Sequence, residues 1–336
     1  RRIDGADQLF TRTVDFGFSK TREEAGRIWD EGVVLDDMVR AIRAYRPLVV
    51  ISRFSGTPND GHGHHQLAGY LTPIAVERAA DPASFPEHRA EGLRPWRVRK
   101  VYVGEGFRPA TDGGPTLRVD TGEVDPLLGR SYFELAMEGR SLHRSQRQGT
   151  LELRGPRSSN LRLLSSAAPS SPEALVAPMF SGIDTSIVGI PSLAGAPAST
   201  LAAELAVAQT AAARALAAYQ PLTPHTTLPS ILEGLEAIRR ARGRLAAPGL
   251  DPSVRDELDF RLNAKEEDFA DAAIRAAGIV VDPLAAEETI VPGESLSVTV
   301  KTFIPSSAPA RVVSARVSSP EGWRVEPSAP AAVAPG

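Results

Sequence analysis

The chain has 336 residues, 42% of them apolar and 24% charged, with a formal net charge of −3 and no cysteine. That charge balance gives no electrostatic reason to bind nucleic acid or an anionic membrane, and the missing cysteine excludes disulfides, thiolate metal sites and cysteine nucleophiles. No apolar run approaches the ~18 residues of a membrane-spanning helix, so no span is expected, and the length allows two or three globular domains.

In chain order, Gln8 to Phe10 is a short strand candidate. Val34, Leu35, Met38, Val39, Ile42 and Tyr45 recur at helical spacing and predict a helix over 33–45, ended by Pro47. The continuous apolar run Leu48-Val49-Val50-Ile51 predicts a strand buried on both faces of a parallel sheet. After the loop Arg53–Gly61, Leu67, Tyr70, Leu71, Ile74 and Ala75 mark a second helix, which Pro73 should kink or bound. Arg97 to Val103 reads as a strand and Tyr132 to Gln146 as a helix. This alternation predicts an α/β, doubly wound sheet over residues 1–150. Residues 151–195 are rich in Ser, Pro and Gly and weakly patterned. Leu201–Tyr219, Leu228–Leu245 and Ser253–Ala277 are helix candidates, the last with Asp251 as N-cap and Pro252 at its first position. Residues 151–278 are thus a linker and a helical region. From Ile279 the period becomes two: Leu296, Val298 and Val300 alternate with polar residues. Strands are expected again at Val312-Val313 and Gly322–Val325, so residues 279–336 read as part of a β-sandwich.

Chemistry concentrates in one place. Three of the six histidines lie in Asp60-Gly61-His62-Gly63-His64-His65-Gln66. The loop follows the carboxyl end of the Leu48–Ile51 strand, where open α/β sheets bind ligands. Imidazole is the commonest metal ligand and the usual acid or base near neutral pH. At a helix start, His62 and His65, three apart, can face one point and serve a single zinc. A solvated Gly/His loop is the competing reading of the spacing.

The stretch Arg46 to Gln66 closely resembles the PIG-L (LmbE-like) family of zinc-dependent de-N-acetylases. Asp15-Phe16-Gly17-Phe18-Ser19, Gly92-Leu93-Arg94-Pro95-Trp96 and Leu142-His143-Arg144-Ser145-Gln146 support it, and the resemblance covers about residues 1–150. It implies a Rossmann-like fold, a Zn2+ cofactor and a small-molecule or glycan substrate bearing an N-acetyl group. It also implies that His65 ligates zinc and that His62 polarises the substrate or protonates the leaving amine, with His64 facing elsewhere. The family's His-Pro-Asp-Asp element, which supplies two further zinc ligands and the general base, does not occur in this sequence. With an opening Arg1-Arg2-Ile3, the chain reads as an N-terminally truncated fragment, inactive by itself, of such an enzyme. The alternative is a non-catalytic carbohydrate-binding or scaffold protein that kept the fold and lost the metal. Val291-Pro292-Gly293-Glu294 and Gly322-Trp323 resemble the start of Ig-like modules of bacterial carbohydrate-active enzymes, which implies an extracytoplasmic setting.

Other candidates carry alternatives. Asp60 orients His62 or His65, or simply makes the Asp-Gly turn. Arg53 flanks the histidines. Asp15 and Ser19 touch substrate or form a plain turn. His143 lies near the site or is a helix-end histidine. His88 and His225, close to prolines, are expected in surface loops. Glu266-Glu267-Asp268 reads as a solvated helix face, and Gly104-Glu105-Gly106 is too short for a phosphate loop.

Overall fold

The computed structural model describes residues 3, 5–104, 116–143, 149, 151–167, 177–246, 248–305, 308, 310–314, 318, 319 and 321–326. The chain divides into two compact units, Arg1–Thr185 and Ser186–Gly336.

The first unit begins with an extended arm. The strand expected at Gln8–Phe10 does not form: these residues are exposed and unpaired in any sheet. Helix α1 (Arg22–Ile28) is capped by Thr21, whose side chain accepts from the Glu24 N–H. Helix α2 (Glu31–Tyr45) starts where the Asp30 carboxylate accepts from Gly32 and Val33, and stops at Arg46, a non-glycine at φ 51° ahead of Pro47. Strand β1 (Val49–Ser52) follows, then helix α3 (Gly63–Ala80) and strand β2 (Lys100–Gly104), which pairs parallel to β1. Pro73 does not bound α3, which runs through it to Ala80. The residue four back, where a proline ring crowds the preceding turn, is Gly69, which has no side chain to add to that crowding.

Strands β3 (Thr116–Asp120) and β6 (Ser158–Ser166) complete a four-stranded sheet of order β1-β2-β6-β3, with a small ribbon of β4 (Val124–Asp125) and β5 (Arg130–Ser131) and helix α4 (Tyr132–Ser141) between them in sequence. Both β2/β6 and β6/β3 are antiparallel. The described sheet is therefore mixed, with one parallel β-α-β unit. Strand β6 lies in the stretch that reads as weakly patterned, and it places residues 151–167 with the first unit. Among the described residues β1 lies at the edge of the sheet, and Ile51 is 48% exposed, so it is not buried on both faces as its apolar run predicted. The helix predicted to reach Gln146 ends at Ser141; Arg144, Ser145, Gln146, Glu105 and Gly106 lie outside the described residues.

Two apolar clusters hold α3 from either side. Val39, Ile42, Ala75, Ala79, Val98 and Val101 join it to α2 and β2, while Ala25, Val34, Leu67 and Leu71 join it to α1. At roughly 25 cal/mol per Å² of apolar surface buried, such contacts supply the main favourable term for this unit.

The second unit is helical at its centre. Helices α5 (Ile190–Leu193), α6 (Ala202–Ala218), α7 (Leu228–Arg244) and α8 (Pro252–Ala276) share a core that includes Leu205, Leu235, Ile238, Leu258, Leu262 and Phe269. Asp251 caps α8 as predicted, accepting from Ser253 N at 2.8 Å. An antiparallel pair, β7 (Val280–Ala285) and β8 (Val298–Phe303), follows. No strand forms at Val312-Val313 or Gly322–Val325, so the described residues of this segment contain a single two-stranded sheet. An isolated pair cannot enclose an apolar layer, and Val280, Val300 and Phe303 are accordingly exposed.

Candidate functional site

The histidine loop is built by one carboxylate. Asp60, 4% exposed, accepts from Gly56 N at 2.8 Å, Ser55 N at 3.1 Å, Thr57 N at 3.2 Å and the Ser55 hydroxyl at 3.1 Å. The side chain therefore folds the loop and does not contact either histidine. Its backbone carbonyl does the orienting, lying 3.3 Å from Nδ1 of His65. Two glycines let backbones approach here. A Cβ on Gly69 would lie 2.3 Å from Gly56 N, and one on Gly63 would lie 2.2 Å from Thr21 O and 2.6 Å from Ser19 Oγ. The arm thus passes directly over the start of α3, joined by Gly63 N to Ser19 O at 2.9 Å.

His62 is the N-cap of α3 and His65 lies in its first turn. Their ring centroids are 5.2 Å apart. Phe54 stacks on His65 at 4.1 Å, nearly parallel, and Phe18 meets His62 edge-on at 4.9 Å. Donation of Nδ1–H from His65 to the Asp60 carbonyl leaves Nε2 with its lone pair, the state a metal-binding imidazole requires.

The position of His64 overturns an expectation. Instead of facing elsewhere, its ring lies against His62, with the two Nδ1 atoms 2.7 Å apart, and Ser19 Oγ is 2.7 Å from the same His64 nitrogen. Ser19 is fully buried, so it is a structural neighbour of both histidines and no exposed turn residue. His62 and His64 are both held below the usual histidine range. Desolvation is the main cause for each, followed by the neighbouring charge of His65 for His62 and of His62 for His64, with Asp15 opposing. The N-terminus of α3 acts in the same direction. Asp15 is exposed, accepts from Gly17 N at 3.0 Å and lies 3.8 Å from His64 Nε2. Arg53 is exposed at the end of β1. His143 is exposed beyond α4, its Nδ1 2.9 Å from Arg140 O, a helix-end arrangement.

A zinc ion needs three or four ligands. Of the described residues, His65 fits one position, with its free nitrogen prepared by Asp60. The three loop histidines do not form a group whose ligand atoms all lie within 4.8 Å of one another; among the described residues that spacing is met by Asp36, Glu87 and His88. These belong to a different network. His88 is fully buried, not in a surface loop as its prolines suggested, and its Nε2 lies 2.5 Å from Asp36 Oδ1 while Arg43 bonds its Nδ1 at 3.2 Å. Arg12 and Arg40 also pair with Asp36. Three guanidinium groups around this cluster oppose a cation there, so we read it as structural. Sequence reasoning missed it because Arg43 occupies an unremarkable helical position; its one signal is a charged residue adjacent to the apolar stripe of α2.

These features place a pair of histidine rings at the carboxyl end of a parallel strand and at a helix N-terminus. In sequence the chain is similar to a mycothiol S-conjugate amidase of Streptomyces coelicolor, 30% identical over 135 residues, covering 38% of this chain and 44% of the relative. It is also similar to a 1D-myo-inositol 2-acetamido-2-deoxy-alpha-D-glucopyranoside deacetylase of Catenulispora acidiphila, 30% identical over 133 residues, 32% of this chain and 39% of the relative. A second such deacetylase, of Saccharopolyspora erythraea, is 40% identical over 73 residues, 22% of this chain and 25% of the relative. The chain thus spans less than half the length of the curated relatives it matches. No family model and no solved structure matches it. Among the described residues no helix is long and apolar enough to cross a membrane.

Proposed function

We propose that this chain is part of a zinc-dependent hydrolase of the PIG-L type that removes an N-acetyl group from an amino sugar or a related amide. The observation that carries the reading is His65: its Nδ1 is committed to the Asp60 carbonyl, its ring is clamped by Phe54, and His62 stands beside it. His65 would hold the ion through Nε2, and zinc supplies Lewis acidity and an acidified bound water. His62 binds the acyl oxygen or handles the proton that reaches the leaving amine. The described residues do not complete the ligand set; in this reading the other ligands and the base come from a His-Pro-Asp-Asp element, which this sequence lacks. The amidase and deacetylase relatives support the reaction class, and the parallel β1-α3-β2 unit supports a Rossmann-like frame. The ribbon β7-β8 is the part of the proposed Ig-like module that is described.

The test is zinc titration of the whole chain carrying 15N-labelled histidine. The His65 ring should respond first, weakly, and zinc uptake should fall in His65→Ala. The chain alone should release no acetate from an N-acetylglucosaminide. If zinc leaves His65 unperturbed, or His65→Ala binds it equally well, the reading fails.

A further inference from the structure

His62 and His65 stand in a row of four rings. Phe18 meets His62 edge-on at 4.9 Å, the two histidine rings are 5.2 Å apart, and Phe54 covers His65 at 4.1 Å with its plane almost parallel. The two phenylalanines do different things. Phe54 is half-buried and gives one face to His65, which fixes that ring. Phe18 is 70% exposed and meets His62 at 78°, so a flat face of its ring is open to solvent beside the histidine.

An exposed aromatic side chain is common and by itself means little. What sets Phe18 apart is its backbone. The next residue, Ser19, is fully buried, and its carbonyl accepts the Gly63 N–H at 2.9 Å. On the other side, the Gly17 N–H donates to the Asp15 carboxylate at 3.0 Å, and Phe16 packs against Trp29 and His64 at 5.8 and 4.3 Å. The arm is thus tied down before and after Phe18, which is held out beside His62. A ring with two side-chain torsions on a fixed backbone loses little entropy when a ligand settles on it.

The electrostatics of the ring select what fits. The face of a phenyl ring is its negative side, and it attracts the weakly positive hydrogens on the C–H face of a sugar ring. An acetamido sugar carries its amide nitrogen on a ring carbon. When the acyl group reaches His62, the sugar ring must therefore lie next to that contact, where Phe18 stands. An open-chain amide has no such face to offer.

We propose that Phe18 is a specificity-determining residue that stacks on the pyranose ring of an acetamido sugar and so selects sugars over open-chain amides. The placement of the acetamido group at His62 rests on the proposed hydrolysis.

The experiment uses the whole chain, metal-free, with methyl 2-acetamido-2-deoxyglucopyranoside as the probe and N-acetylethanolamine as the open-chain control. Saturation of the protein's aromatic protons should transfer to the C–H protons of the sugar ring. Phe18→Ala, at an exposed position, should keep the amide spectrum and weaken sugar binding by about tenfold. Phe18→Tyr should restore binding, whereas Phe18→Leu, which keeps an apolar cover over His62 but has no flat face, should restore only a small part. N-acetylethanolamine should bind more weakly than the sugar, and equally to wild type and Phe18→Ala. No transfer to the sugar ring, equal sugar affinity in wild type and Phe18→Ala, full recovery in Phe18→Leu, or an equal loss for N-acetylethanolamine overturns the proposal. Zinc titration reports on His65 and on the hydrolase reading alone. A chain that stacks the sugar on Phe18 but takes no zinc at His65 would keep this inference and refute the hydrolase.

Discussion

Replacing Arg43 should be the most damaging single change in the first unit. The side chain is 1% exposed and ties the end of α3 to the turn that follows. Its Nε donates to Ala79 O at 3.2 Å, its Nη1 to Phe85 O at 3.1 Å and to His88 Nδ1 at 3.2 Å. Its Nη2 reaches Arg78 O at 3.2 Å, Asp81 O at 2.8 Å and Ser84 O at 2.9 Å. One guanidinium therefore ties together five carbonyls of the α3 end and the turn after it, and those of Arg78, Ala79, Asp81 and Phe85 use their second lone pair for it, since each also accepts a backbone N–H. Adding about 1.5–3 kcal/mol for each charged hydrogen bond would overshoot, because six acceptors share five N–H groups and the freed carbonyls recover some water. Removing one member of a buried charged network costs about 3–5 kcal/mol, and that is the expected loss for Arg43→Met, whose chain keeps most of the packing. Against a domain stability of roughly 5–15 kcal/mol, this is about a fifth of the total or more. Arg43→Lys keeps the charge but not the planar fork, so it should recover less than half. Urea unfolding followed by tryptophan fluorescence reads the effect, since Trp96 docks on the same region through Nε1 to Pro47 O at 2.7 Å and N to Ala79 O at 2.8 Å. A loss below about 1 kcal/mol in Arg43→Met, or full recovery in Arg43→Lys, would refute the argument from a buried, hydrogen-bonded guanidinium.

Gly63→Ala places a Cβ against the backbone of Thr21 and the side chain of Ser19. It should destabilise the first unit by about 1–3 kcal/mol and raise protease cleavage in the arm; unchanged stability would show that the arm is not seated on α3. The pH dependence has a definite sign. His62 and His64 are depressed in the fold, chiefly by desolvation, so the unfolded chain binds more protons below about pH 6.5. The stability they contribute is present above that value and is lost as pH falls through their folded values. Urea midpoints of the first unit should therefore drop on acidification, and His62→Gln combined with His64→Gln should flatten the slope. A wild-type slope unchanged by the double variant would place the effect elsewhere.

What the sequence determined by itself is what local chemistry controls. The helices α2, α3, α6, α7 and α8 lie where periodicity and caps put them, since an N-cap such as Asp251 and a first-position Pro252 act within one turn. The histidine loop also falls where the strand-to-helix switch predicted, at the carboxyl end of β1 and the start of α3. Tertiary structure decided the rest, because it depends on partners far away in sequence. Gln8–Phe10 has strand-like composition but pairs with no strand among the described residues, whereas the Ser-rich residues Ser158–Ser166 become a strand because β2 and β3 lie on either side. His64 faces His62 because Ser19, Phe16 and Trp29 close over it, residues far upstream that no helical period relates to it. His88 is buried because Arg43 and Asp36 of α2 need its two nitrogens, a demand written on another helix. A motif can be read from consecutive residues, but burial and hydrogen-bond direction are properties of the packed chain, and they decide which nitrogen of each histidine is free to act.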